Sequence, residues 1–296
     1  MSHTTTSPEE KNAIVGGTLY LVSTPIGNLA DLSERAIKVL SEVDFVAAED
    51  TRNTGKLLAC LGISRPMLSY YEHNKRERGP QIIQRLLAGD SCALCSDAGT
   101  PAISDPGEDL VSLCAQRGIP VTSVPGCCAA ITALTLSGLS TARFCFEGFL
   151  PVEKSKRRER LEQLTYNTAT MILYEAPHKL RATLDDLAST LGVDRPAALC
   201  RELTKRNEEI FRTTLGGAIE RYKTEAPRGE YVLIVAGGSQ SAPTSAERTE
   251  RMTLSPKEHV AYYESTGLGR MDAIKAAAKE RGIPKNELYR QLNLQK

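Results

Sequence analysis

Four short apolar runs, at residues 17–23, 45–48, 92–95 and 121–124, recur with helix-spaced stretches between them, and this alternation restricts the fold of the 296-residue chain more than any other feature. After the first run and a turn at 25–31, Leu32, Ala36, Val39, Leu40 and Val43 follow at helical spacing, and further helical patterns cover 56–61, 81–87 and 108–117. A strand can pair parallel to its predecessor only after a crossover, so strands alternating with helices predict a parallel sheet. The fold class expected is α/β.

Beyond Pro151 the texture changes. A basic helix start at 153–160 leads to strands at 171–174, 197–201, 209–214 and 231–236, the third of them polar, which predicts a mixed sheet in a second α/β domain. The organisation expected is an N-terminal tail (1–16), a parallel α/β domain (17–145), a mixed α/β domain (146–238) with a ligand cleft between the two, a linker (239–250) and a small C-terminal helical unit (251–296). Within the last, Gly282 separates two helices as in a helix-turn-helix. Its apolar positions Ala273, Ile274, Ala277, Ala278, Ile283, Leu288, Tyr289 and Leu292 suit a small core, leaving Lys275, Lys279, Lys285 and Arg290 outside.

Composition excludes several function classes. Thirty-seven basic against 36 acidic residues give a net charge of +1, so any basic footprint for nucleic acid must be local. No apolar run reaches the length of a membrane span and the first residues are polar, so no membrane partner and a cytoplasmic location are expected. Eight cysteines scattered in apolar segments suit a reducing compartment. Cys92 and Cys95 fall three apart on a strand and so face opposite sides, and with four histidines no metal site is expected.

In an open parallel sheet ligands bind outside the carboxyl ends of the strands, where residues 25–28, 49–52, 97–104 and 125–129 all fall. The loop S-D-A-G-T-P-A-I-S-D-P-G at 96–107 mixes prolines that fix φ with glycines that free it, describing a rigid, unusual shape; Asp105 there reads as a turn residue. No G-x-G-x-x-G, phosphate-binding G-x-x-x-x-G-K-[ST] or G-x-S-x-G occurs. Carbonyls, short side chains and a few carboxylates suit a ligand carrying a cation and an amino acid, as S-adenosylmethionine does.

The motifs T-P-I-G-N-L-x-D-L-S-x-R-A (24–36), A-A-E-D-T-R-x-T (47–54), Y-x-H-N (71–74), the 96–107 loop, P-G-C-C-A-A (125–130), F-E-G-F-L-P (146–151), Y-E-A-P-H-K-L (174–180), C-R-E-L-T-K-x-x-E-E (200–209) and R-G-E-Y-V-L-I-V (228–235) resemble the ribosomal small-subunit methyltransferase I family of the tetrapyrrole-methylase superfamily, over roughly 17–238. The resemblance implies a homodimer that methylates the ribose 2′-oxygen of a cytidine in 16S rRNA of the 30S subunit, with S-adenosylmethionine as donor. A methylase acting on a corrin or uroporphyrin is the alternative within the superfamily. By the same resemblance Asp97 and Gly99 would hold the donor's methionine end with Ile103 packed on it, while Ile26, Cys128, Ala129, Glu175, Leu203 and Glu230 would line the rest of the cleft.

A ribose hydroxyl is a poor nucleophile at neutral pH, so a base is wanted, and Glu49, Asp50 and His73 are the candidates. The Glu49-Asp50 pair reads equally well as a solvated strand end before a helix. Lys154, Lys156, Arg157 and Arg158 sit at a helix start, where the dipole disfavours cations; that placement argues for RNA phosphates over a merely solvated face, with Arg52 a further candidate. The C-terminal unit is expected to dock substrate.

Overall fold

The computed structural model describes residues 12–238, 251–265 and 268–293. Strands β1 (Leu19–Val22), β2 (Phe45–Ala48), β3 (Met67–Ser69), β4 (Cys92–Cys95) and β5 (Val121–Val124) form a parallel sheet in the order β3-β2-β4-β1-β5, with Leu19 opposite both Cys92 and Val121. Helices α1 (Glu34–Glu42), α2 (Thr51–Cys60), α3 (Lys75–Leu87) and α4 (Gly107–Gln116) lie between successive strands. Because strand side chains alternate, the sheet has two cores. One joins Leu19, Phe45, Cys92 and Leu94 to Ile82, Leu86 and Leu110; the other joins Tyr20, Val22, Val46 and Cys95 to Val39, Leu40 and Leu58. Cys92 and Cys95 thus face opposite layers, and burial pushes the Cys95 thiol up to about 12.

The periodicity over 81–87 captures only the half of α3 that follows Pro80. Strand β3 has no counterpart in the sequence pattern, because it is a three-residue edge strand whose first residue, Met67, is exposed.

The second sheet comprises β6 (Phe144–Gly148), β7 (Thr170–Glu175), β8 (Pro196–Arg201), β9 (Glu209–Thr214) and β10 (Tyr231–Val235) in the order β6-β7-β10-β8-β9. Only β6 and β7 are parallel; β10, buried at all five positions, runs antiparallel to both its neighbours. The sheet is mixed, as the strand texture predicts. One face is covered by α6 (Lys154–Leu164), α7 (Leu180–Leu191) and α8 (Leu215–Thr224), which bury Leu164, Leu184, Leu187 and Leu215 against Met171, Leu173 and Leu233. The other face is covered by α5 (Ala129–Ser137), whose Ala130, Ala133 and Leu134 pack on Ile172, Ala198, Val232 and Ile234. This helix falls inside the 17–145 span read as the first domain. It covers the second sheet instead, so the packing changes over between Val124 and Ala129. The two sheets belong to one compact unit that ends at Gly238.

A second unit begins at Ser239. The expected linker, 239–250, and most of the expected tail lie outside the described residues. Helices α9 (Pro256–Ser265), α10 (Arg270–Glu280) and α11 (Lys285–Asn293) bury Val260, Ala273, Ile274, Ala277, Ala278 and Leu288, and Gly282 turns the chain at φ +67°. Tyr289, expected in this core, is exposed instead, next to the buried Leu288 on α11. Among the described residues no helix is long and apolar enough to cross a membrane, and no three His, Cys, Asp or Glu side chains are placed to hold a metal.

Glu280 organises this unit. Its carboxylate accepts from the Arg251 guanidinium (2.8 Å), the Tyr263 hydroxyl (2.8 Å) and His259 Nε2 (2.8 Å). Arg281 Nε donates to His259 Nδ1 at 2.9 Å, and an arginine can only donate, so the histidine proton sits on Nε2 and points at Glu280. Burial works against the charge on Glu280, but the bonds from Arg251, Tyr263 and His259 outweigh it and hold the carboxyl at about 2. A depressed carboxyl stabilises the fold fully above its unfolded value and loses that contribution as pH falls toward the folded one. The unit should therefore soften between pH about 4.5 and about 2. Glu280→Gln should cost about 3 kcal/mol at neutral pH and flatten this acid dependence, read by hydrogen exchange of the α9 amides in the intact chain.

Candidate active site

The loops leaving β1, β4 and β5 are bonded to one another rather than merely adjacent. Thr24 and Gly99 exchange backbone hydrogen bonds at 2.9 and 3.0 Å, Ser23 Oγ donates to Thr100 Oγ1 at 3.2 Å, and Thr100 Oγ1 donates to the Cys127 carbonyl at 2.9 Å. Asp105 serves the turn, as its sequence context suggests: Oδ1 accepts from Ala102 N–H (3.0 Å) and Gly107 N–H (2.7 Å), bracing a stretch in which Ala102 and Ser104 both take positive φ.

Two cavities open on this edge, and consecutive residues are divided between them. The first, of about 230 Å³, is lined by Thr24, Pro25, Gly27, Leu29, Asn53, Thr54, Leu57, Ser96 and Asp97. A second, of about 270 Å³, has Ile26, Ala98 and Ala129 on one side and Phe149, Tyr174, Glu175, Leu203 and Glu230 on the other. The loop at 25–28 meets the loop at 202–205 so closely that a Cβ on Gly27 would lie 2.4 Å from Lys205 Cγ and 3.0 Å from the Leu203 carbonyl. Only glycine fits that approach.

Of the residues expected around a donor, Ile26, Ala129, Glu175, Leu203 and Glu230 line the second cavity. Asp97 lines the first. Gly99, Ile103 and Cys128 line neither: Gly99 makes the bridge to Thr24, Ile103 is exposed on the loop, and Cys128 precedes α5 and packs beside the core under it. Reading the sequence missed Tyr174, Glu202 and Lys205 in the second cavity and Thr24, Asn53 and Leu57 in the first. All but Leu57 lie inside the quoted motifs, so the signal was present but did not say which side chains face the space.

The three candidate bases fare differently. Glu49 ends β2 half-buried and accepts from Asp97 N–H at 3.2 Å; burial pushes its carboxyl up, the Asp97 N–H opposes this, and the Asp97 and Asp105 carboxylates add to the rise. Asp50 caps α2 and is gripped by Arg52 through its backbone N–H (2.8 Å) and guanidinium (3.1 and 2.7 Å), which hold its carboxyl down at about 2. His73 sits in an exposed loop, edge-on to the Tyr71 ring, and lines neither cavity.

The basic stretch divides as well. Lys154, Lys156 and Arg158 are exposed on α6, Lys156 bonding Glu153 at 2.8 Å. Arg157 turns inward: Nε donates to Asp186 at 2.7 Å and Nη2 to Thr183 Oγ1 at 2.8 Å. Thr183 Oγ1 in turn donates to Glu175 Oε2 at 2.5 Å, and Ala176 N–H donates to Oε1 at 2.9 Å. Glu175 is 4% exposed, and this relay is what fixes its carboxylate at the wall of the second cavity. The RNA role expected of Arg157 thus gives way to a positioning one. Arg52, 85% exposed at its side chain, is spent on Asp50.

Comparison with known proteins accords with this geometry. Residues 18–219 match the family described as Tetrapyrrole (Corrin/Porphyrin) Methylases. A protein of Halalkalibacterium halodurans named ribosomal RNA small subunit methyltransferase I is 48% identical over 92% of this chain and 93% of its own length. Proteins of that name from Synechocystis (45% identity, 94% of this chain and 98% of theirs) and Bacillus subtilis (46%, 92% and 93%) are comparably similar. Among solved structures, a cobalt precorrin-4 methyltransferase superposes with a TM-score of 0.56 at 17% identity (74% of this chain, 95% of that one), and a diphthine synthase with 0.56 at 14% (74% and 90%). At such identities the superpositions speak for the fold. By family, then, this chain is an S-adenosylmethionine-dependent methyltransferase: it belongs to the tetrapyrrole (corrin/porphyrin) methylase family and, within it, to the branch that holds these ribosomal RNA small subunit methyltransferase I proteins.

Proposed function

We propose that the chain methylates the 2′-oxygen of a cytidine in the 16S rRNA of the small ribosomal subunit, in the cytoplasm. The observation that carries this reading is the pair of adjoining cavities, one suited to a donor and one free for an acceptor, at the edge where Ile26-Gly27 and Asp97-Ala98 are divided between them. The names of the 42–48% identical relatives support the RNA as substrate.

The second cavity fits the donor. Phe149 and Tyr174 offer ring surface, Ile26, Ala129 and Leu203 offer apolar walls, and the Glu175 carboxylate favours a cationic centre, while Glu202 and Glu230 are paired with Lys205 at 2.9 and 2.7 Å. S-adenosylmethionine, when bound, supplies an activated methyl group on a sulfonium that is already a good leaving group. Glu175 is held ready by Thr183 and Arg157, and Gly27 packs closely on the 203–205 loop, whose Leu203 and Lys205 line the cavity. Glu49 takes the hydroxyl proton: its raised carboxyl is a stronger base than an ordinary one, whereas Asp50 is tied to Arg52. Lys154, Lys156 and Arg158 meet RNA phosphates. The chain acts as a homodimer, consistent with the apolar Phe144 and Val152 left exposed in and just after β6.

The reading is tested by methyl transfer from labelled donor to 30S subunits lacking the modification, with uroporphyrinogen as the competing acceptor. Transfer to the ribose of a single cytidine is expected; transfer only to the tetrapyrrole would move the chain to the other branch. Gly27→Ala forces a methyl group into the 203–205 loop, and overpacking of that kind costs about 1–3 kcal/mol. Affinity for S-adenosylhomocysteine should fall about tenfold by calorimetry. Glu49→Gln should lower kcat by about 10²–10⁴ while leaving S-adenosylhomocysteine binding unchanged. In the wild type the rate should decline as pH falls through a value raised from that of an ordinary glutamate, a limb absent from the variant. Replacing Lys154, Lys156 and Arg158 together by glutamine should flatten the salt dependence of subunit binding by about two units, at roughly 0.7 per phosphate contact. Superimposable salt series would return these residues to a solvated face.

A further inference from the structure

The second cavity is lined by the carboxylates of Glu175, Glu202 and Glu230, and the last two are already neutralised by Lys205. Glu175 is different. It is buried at the end of β7, and its oxygens accept from uncharged groups, Oε1 from Ala176 N–H and Oε2 from the Thr183 hydroxyl. A carboxylate has about four acceptor positions, so both oxygens keep capacity for a ligand at the cavity wall. Burying such a group is costly unless its partners are held in place. The Ala176 N–H is fixed by the chain, but a threonine hydroxyl can rotate, and inside a helix it ordinarily turns its proton to the carbonyl one turn back. In α7 the Thr183 proton goes to Glu175 instead, at 2.5 Å.

Arg157 accounts for that direction. Its Nη2 donates to Thr183 Oγ1 at 2.8 Å, and a guanidinium cannot accept, so the threonine oxygen is the acceptor there and its one proton must point elsewhere. A cation on that oxygen also polarises the O–H bond and strengthens its donation to Glu175. Arg157 is itself held from two more sides: Nε donates to Asp186 of α7 at 2.7 Å, and Nη1 to the carbonyl of Pro151 at 3.5 Å, two residues beyond Phe149 on the same cavity. Its side chain is 17% exposed, whereas Lys154, Lys156 and Arg158 stand in solvent. We propose that Arg157 and Thr183 are positioning residues for the methyl donor: Arg157 sets the direction of the Thr183 hydroxyl, and that hydroxyl holds the Glu175 carboxylate in the orientation that accepts from the bound donor. The proposal rests on the placement of the donor in the second cavity put forward above. It separates one cation of the α6 run from the other three by what it does.

The test measures S-adenosylmethionine affinity by calorimetry, and binding of 30S subunits across a salt series without donor, for wild type and for Thr183→Val, Thr183→Ser, Arg157→Gln and Glu175→Ala, each shown to be folded by its thermal transition. Thr183→Val keeps the shape and removes the hydroxyl, so donor affinity should fall about tenfold. Thr183→Ser keeps the hydroxyl and should hold donor affinity within about threefold of wild type. A glutamine at 157 carries an amide oxygen that can take the threonine proton away from Glu175, so Arg157→Gln should lower donor affinity by about fivefold to tenfold while the salt series for subunits superimposes on that of wild type. Equal losses in Thr183→Val and Thr183→Ser would overturn the proposal, because the effect is then one of packing. Undiminished donor affinity in Arg157→Gln would overturn it too, and a flattened salt series in that variant would return Arg157 to the RNA phosphates. Should Thr183→Val not fold, Arg157→Gln decides. If Glu175→Ala leaves donor affinity unchanged, the placement of the donor in the second cavity has failed and the relay fails with it; if Glu175→Ala lowers affinity and Arg157→Gln does not, the relay alone has failed.

Discussion

The reciprocal pair of backbone hydrogen bonds between Thr24 and Gly99 is the constraint on which the site depends. Parallel strands deliver their carboxyl ends to one edge, but the loops beyond them have no ladder to order them. Here the β1 loop is clamped to the β4 loop at Thr24–Gly99, and the β4 loop to the β5 loop by Thr100 and the Cys127 carbonyl. With both ties in place, Ile26 and Ala98 can face one cavity while Gly27 and Asp97 face the other. The positive φ angles of Ala102 and Ser104, each costing about 1 kcal/mol or more, are sustained because Asp105 fixes the turn around them.

Much of this was legible in the sequence, and the gaps have physical causes. Strands β1, β2, β4 and β10 announce themselves because strands covered on both faces must be apolar at nearly every position. Edge strands carry no such requirement: β6 exposes Phe144 and Phe146, and its residues pass for a domain break. Helix α5 is apolar almost all round, so it shows no amphipathic period and is invisible to a search for one. Within the site, the motifs located the loops correctly, yet neighbours in a tight loop point opposite ways. Only coordinates separate Asp97 from Ala98.

Arg157 illustrates the same limit for charge. A run of cations at a helix start looks uniform in sequence, but one of the four lies on the buried side of α6 and is neutralised by Asp186. Through Thr183 it reaches Glu175, so the helix that presents Lys154 and Arg158 to solvent also helps to set a wall of the second cavity. Surface and interior roles are interleaved on one element, with helical periodicity deciding which residue takes which.

The path of α5 across to the second sheet bears on how such a molecule can be divided. A fragment ending near Val124 retains every strand of the first sheet, and the remainder keeps covers on both faces of the second. A cut at residue 145 would instead strip the second sheet of α5 and leave its apolar face bare. Yet the second cavity draws Ile26 and Ala98 from the earlier fragment and Ala129, Tyr174 and Leu203 from the later one. Each half can be a sound folding module, but the pocket is the property of neither, and recombination between relatives would carry it over only when both halves still match.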